Sequence, residues 1–206
     1  MSLLAALLPS IASHSFNNTK CPAPQEVQAP GMYGFKLDDI AGYYYELALH
    51  DVTQYPLCPS KPACITSNKT IRTHSDGNQF VHGEFSLSCL GNAYSKTLLF
   101  NVTSTPGFLR GYLPRSDIPF LPAGLADRVV FPDTVIDYKP GPDGWVLEFQ
   151  CVEFAGRVVF TGVNLYAKHA SDEAAFRAML TAVKESGIDY YTQQGFGLTN
   201  VSQSAC

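Results

Sequence analysis

Charge is scarce in this chain. Its 206 residues include 14 Lys and Arg and 18 Asp and Glu, so charged side chains make up only 16%. Disordered chains need high charge and few apolar residues, and 46% apolar content excludes that class. The net charge of −4 lacks the basic excess that would attract nucleic acid or an anionic membrane surface. No apolar run approaches the ~20 residues of a membrane-spanning helix, so no transmembrane span is expected. There is no CxxC pair, and the five histidines are scattered. A metal site is therefore unsupported, and no cofactor is expected.

What is present points to an oxidising compartment. Six cysteines (Cys21, Cys58, Cys64, Cys89, Cys151 and Cys206) accompany four Asn-x-Ser/Thr sequons at Asn17, Asn68, Asn101 and Asn200. An even cysteine count beside sequons reads as disulfides in a secreted glycoprotein. The start, MSLLAALLPSIASHS, has a short apolar core and a small-x-small site, so residues 1–14 read as a signal peptide. The short core and missing basic flank leave a disordered or truncated start as the alternative. Residues 15–34, with Pro22, Pro24, Pro30, Gly31 and Gly34, read as an irregular lead-in, and 35–206 as one domain.

From Gly42 onward, short β-type segments alternate with turn signals. Strands are expected near 42–50, 64–73, 79–89, 94–104, 107–113, 128–138, 144–153 and 156–168. SDGN at 75–78, PGPDG at 140–144 and FAG at 154–156 mark turns. In the seventh strand Trp145, Leu147 and Phe149 share one face, and Glu148 and Gln150 the other. Pro132 suggests an edge or a bulge in the sixth. The period then becomes helical: Phe176, Met179, Leu180 and Val183 fall on one face, with Ser171 as N-cap and Gly187 at C′. Eight strands with short connections favour an all-β, eight-stranded antiparallel up-and-down barrel with one C-terminal helix packed outside. A β-sandwich remains open on spacing alone.

Three segments, in order, resemble the three signature regions of lipocalins. FKLDDIAGYYYELA (35–48) resembles the first, with Gly42, Tyr45, Glu46 and Ala48 in register and Tyr44 at the usual tryptophan. DGWVLEFQC (143–151) resembles the second, and NLYAKHAS (164–171) the third, with Lys168 at the usual arginine. CITSNKT (64–70) and the tail SGIDYYTQQGFGLTNVSQSAC are similar to the apolipoprotein D-like and bilin-binding-like subgroup. The resemblance implies disulfides Cys21–Cys151 and Cys64–Cys206, leaving Cys58 with Cys89. It also implies a barrel closed at one end, with Tyr44, Glu46 and Ala48 pointing inward, His50 approaching the open mouth, and Tyr43, Tyr45 and Leu47 pointing out. Leu47 is expected to meet the helix face of Phe176 and Leu180.

For the site, the resemblance implies a small hydrophobic ligand (retinoid, carotenoid, tetrapyrrole or fatty-acid-like) and no catalytic residue. Candidate cavity residues are Tyr44, Glu46, Ala48, Phe85, Leu87, Leu98, Phe100, Phe108, Tyr112, Phe149, Phe160 and Tyr166. A one-residue slip would turn any of them outward. The resemblance implies Tyr44 beneath Lys168, giving a looser plug than tryptophan beneath arginine, or a Tyr44 hydroxyl bond instead. Glu46 must pair with Lys168 or Arg157, be protonated, or face solvent. The Pro-rich 114–127 connection is expected to overhang the mouth. A lipocalin-type enzyme acting on a lipid or carotenoid, and a protein-interaction module with a closed barrel, remain alternatives.

Overall fold

The structure, a computed structural model, describes residues 20–51, 63–89, 92–112, 130–193 and 197–204. Eight strands run antiparallel in sequence order: β1 Gly42–Asp51, β2 Ala63–Thr73, β3 Gln79–Cys89, β4 Asn92–Val102, β5 Phe108–Tyr112, β6 Phe131–Lys139, β7 Trp145–Phe154 and β8 Arg157–Ala167. β8 pairs with β1 and β1 with β2, so the sheet closes into a barrel. The eight-stranded reading therefore holds over the sandwich. The turns behave as their residues dictate. Gly77 in SDGN takes φ +87°, and Ala155–Gly156 form a tight turn with both φ positive. Pro132 is neither an edge nor a bulge. It lies one residue before the β6–β7 ladder begins at Asp133 and Gln150, where a missing N–H is tolerated, and the bulge falls at 135–137.

The lead-in is more ordered than its composition suggests. A helical turn α1, Pro24–Val27, and two 3-10 turns, Pro30–Gly34 and Leu37–Ile40, cross one end of the barrel. Ala29 N donates to Ile136 O, and Gln28 Nε2 donates to Pro106 O and Val135 O. Met32 and Ile40 are thereby buried against Tyr44, Val81, Leu109, Val135 and Val146, forming the closed end. The Cys21–Cys151 disulfide ties this strap to β7. Closing a 130-residue loop contributes about 5 kcal/mol on a chain-entropy account.

Helix α2, Glu173–Glu185, packs outside the barrel. Its N-cap is Asp172, not Ser171: the Asp172 carboxylate accepts from Ala175 N at 2.9 Å. Gly187 sits at C′ with φ +73°. Met179 and Val183 bury against Trp145, Leu147, Phe149 and Leu165, with Leu47, Phe176 and Leu180 at the margin. The apolar face of β7 thus looks outward at the helix. Its polar face must look into the barrel.

β1 and β2 pair only from Gly42↔Lys69 to Tyr45↔Thr66. Where they separate, the chain's tail fills the gap. After a short helix α3, Asp189–Thr192, strand β9, Thr199–Asn200, pairs with Ala48 and Leu49. Val201 N donates to Leu47 O, Cys64 N to Ser202 O, and Gln203 Nε2 to both Glu46 O and Ile65 O. Cys64 and Cys89 are also disulfide-bonded. Their expected partners, Cys206 and Cys58, lie outside the described residues, as do the 114–127 connection, Asn17 and residues 1–14.

Candidate functional site

Strand parity fixes which side chains enter the barrel. Tyr44 lies at the closed end, fully buried. The Lys168 ammonium sits 3.7 Å from its ring centroid and donates to Ala41 O at 2.8 Å. The expected cation–π plug is therefore present, and Gly42 makes room for it. A Cβ at Gly42 would collide with the Lys168 ammonium, and its φ is +115°. The alternative hydroxyl bond does not form, because Tyr44 Oη is buried with no hydrogen-bond partner among the described residues. Burial, then the Glu148 and Asp39 charges, hold its phenol well above the usual tyrosine range.

One inward step above the closed-end residues, the wall changes character. Above Tyr44 comes Glu46; above Ile71, Lys69; above Val135, Asp133; above Val146, Glu148; above Tyr166, Asn164. All five of these upper residues are buried. The Lys69 ammonium is ion-paired with Glu148 and lies 4.9 Å from the Tyr166 ring centroid. Asn164 Nδ2 donates to Glu46 Oε1 at 2.6 Å. Glu46 therefore meets an amide from β8 rather than the expected Lys168 or Arg157, and it is not turned to solvent. Asp133 is 1% exposed, and its Oδ1 has no hydrogen-bond partner among the described residues. Burial and the neighbouring Glu148 push its carboxyl well above the usual range, against the opposing pull of Lys69. The Tyr166 phenol is likewise pushed up, first by burial and then by Glu46, Glu148, Asp133 and Asp51.

On the remaining strands the same level holds Gly83, Leu98 and Gly111. Cβ atoms at Gly83 or Gly111 would press on the Phe100 ring, so the glycines accommodate that aromatic face. Higher still, Leu49, Ile65, Phe85, Leu87 and Val201 form an apolar patch, and Phe160 lies across Gly162.

Of the candidate residues, Tyr44, Glu46, Phe85, Leu87, Leu98, Phe100, Phe160 and Tyr166 share the inward parity. Four do not. A bulge between Glu46 and Ala48 reverses the phase of β1, so Leu49 and Asp51 point in while Ala48 and His50 point out. Ala48 joins the helix-side cluster, and His50 Nδ1 lies 2.9 Å from Gly197 O instead of at the mouth. Phe149 packs on Tyr191 outside the barrel, ring centroids 5.2 Å apart. Phe108 faces out with it through Thr134, and Tyr112 pairs with Leu99, on the face opposite Leu98 and Phe100. Tyr43 and Tyr45 stack edge to face outside, as expected.

Asn101 and Asn200 are exposed, while Asn68 is half-buried on the outer wall, 3.4 Å from Glu84 Oε2. Lys69, Asp133, Glu148, Asn164, Leu49 and Asp51 were missing from the candidates. For Glu148 a signal existed: an external helix pulls the apolar face of β7 outward and leaves its polar face inside.

No protein-family model matches the chain, and no curated protein matches its sequence. Solved structures do. Lobster apocrustacyanin A1 superposes with a TM-score of 0.62 over 91% of both chains at 13% identity. Apocrustacyanin C2 gives 0.63 over 91% of both at 12% identity. The siderocalin Ex-FABP, described as having dual ligand specificities, gives 0.54 over 82% of this chain and 97% of its own at 13%. The fold is that of a lipocalin barrel. In this lipocalin-type barrel the closed end is the Tyr44–Lys168 plug with its strap, and the polar layer forms the floor above it.

Proposed function

We propose that this protein is a lipocalin of the apolipoprotein D-like group that carries a small ligand with an apolar body inside its barrel. The observation that carries this reading is the inner wall itself. A polar floor with unmet acceptors lies beneath apolar residues that are not all packed away: Phe85 and Leu98 remain only half-buried. Side chains filling a collapsed barrel would bury both. Area burial against such a wall supplies affinity at about 25 cal/mol per Å² of apolar surface.

Secretion is part of the same proposal, supported by the disulfides and the sequons. The four described cysteines are all disulfide-bonded, so none offers a thiolate for covalent chemistry. That favours a carrier over a thiol-dependent enzyme. The buried carboxyl of Asp133 gives a second reading some support, an acid-assisted isomerase or de-epoxidase.

The test is to purify the full chain natively, extract it with organic solvent, and identify the extract by mass spectrometry. Binding of the neutral apolar probe N-phenyl-1-naphthylamine is measured alongside. A co-purifying intact ligand, or saturable probe binding displaced by lipids, supports the carrier. A ligand converted on incubation supports the enzyme. A chain that neither holds a ligand nor binds the probe refutes both.

A further inference from the structure

The polar floor has a chemical preference. Two of its carboxylates are engaged, Glu148 by Lys69 and Glu46 by Asn164. Asp133 is different. It is buried, its Oδ1 accepts no bond from the described residues, and Lys69, the cation these residues place in the layer, is already paired with Glu148. On β8, beyond the intervening β7, a second acceptor is in the same condition. Asn164 Oδ1 is also buried without a partner among the described residues, its amide nitrogen being committed to Glu46. Asn164 Oδ1 can only accept, and Asp133 Oδ1 only accepts whenever its carboxyl is ionised; a buried acceptor left unmet is costly. What the layer lacks is a donor.

A ligand carboxylate brings none and would meet the Glu148 carboxylate as a like charge. A ligand hydroxyl brings one. An ammonium brings up to three with a positive charge, and it would face the Tyr166 and Phe100 rings, which also attract cations. A divalent metal fits less well, because no group of three or more His, Cys, Asp or Glu side chains converges on a metal position among the described residues.

We propose that the floor formed by Asp133, Glu148 and Asn164 seats a primary ammonium group, so that the barrel carries an amphiphilic amine rather than a fatty acid. This rests on the carrier reading above. The apolar body of the amine would extend from the floor along Phe85, Leu98 and Leu49 toward the mouth.

The test displaces N-phenyl-1-naphthylamine from the full chain near neutral pH with three ligands of equal chain length: dodecylamine, 1-dodecanol and dodecanoate. The amine is expected to bind about tenfold or more tightly than either of the others, as a charge-assisted bond would give. Asp133→Asn should erase that preference, weakening the amine about tenfold or more so that it binds no tighter than 1-dodecanol. Should Asp133→Asn fail to fold by circular dichroism, Asn164→Leu is read in its place. Dodecanol or dodecanoate binding as tightly as the amine overturns the inference while leaving the carrier standing. So does an amine preference that survives both substitutions. A chain that binds neither the probe nor any of the three overturns the carrier reading as well.

Discussion

Replacing Lys69 by methionine should be among the most damaging single changes inside this barrel. The Lys69 and Glu148 side chains are each only 5% exposed, and they meet across the interior from β2 and β7. At contact distance and an effective dielectric near 20, their attraction is about 4 kcal/mol, set against the desolvation of both charges. Removing the cation leaves Glu148 buried beside Asp133 with no compensating charge, so Lys69→Met should lose about 3–5 kcal/mol. Glu148→Gln should lose less, because the Lys69 ammonium can turn to the Asp133 carboxylate. The double variant Lys69→Met/Glu148→Gln should recover most of the loss, ending within about 1 kcal/mol of the parent apart from the cation–π contact on Tyr166, worth about 0.5–2 kcal/mol. Urea unfolding near neutral pH measures all four proteins, with a shared slope confirming comparable denatured states. Two outcomes refute the reasoning. One is a Lys69→Met variant as stable as the parent. The other is a double variant no better than Lys69→Met alone.

Two further outcomes are expected. Tyr44→Phe should be neutral or stabilise by up to about 1–3 kcal/mol, since it deletes a buried hydroxyl with no partner, whereas Tyr44→Ala should lose about 3–5 kcal/mol and open the plug; thermal melts of both variants check the pair. Asp133, buried beside Glu148 and Lys69 and interacting with Tyr166, titrates above the ordinary aspartate value when folded. Its contribution is therefore fully present below that ordinary value, about 3.9, and is lost as pH rises toward the folded value. Stability should decline across that window in the parent and decline less in Asp133→Asn, as urea midpoints from acid to neutral pH would reveal.

Much of the architecture is written in the sequence. Two-residue alternation, turn chemistry at 75–78 and 154–156, and the change to helical period after Ala170 are local properties, so strands, turns and the helix are legible without tertiary contacts. The outward apolar stripe of β7 could likewise be read once a helix was assigned outside. Register is another matter. The bulge at Leu47 obeys no local signal, and by inserting one residue it turned Ala48 and His50 outward and brought Leu49 and Asp51 in. Phe108, Tyr112 and Phe149 were equally ambiguous, because an aromatic residue fits either a cavity wall or a helix interface. The polar floor lies furthest beyond sequence. Lys69 and Glu148 are 79 positions apart, and Glu46 and Asn164 are 118 apart. Only closure of the sheet, which aligns the inward step on strands from both ends of the chain, decides that these charges share one dry layer. The sequence by itself determined a barrel with an external helix; the tertiary structure decided that its floor is acidic, because pairing energies in a buried layer depend on distances that no local pattern encodes.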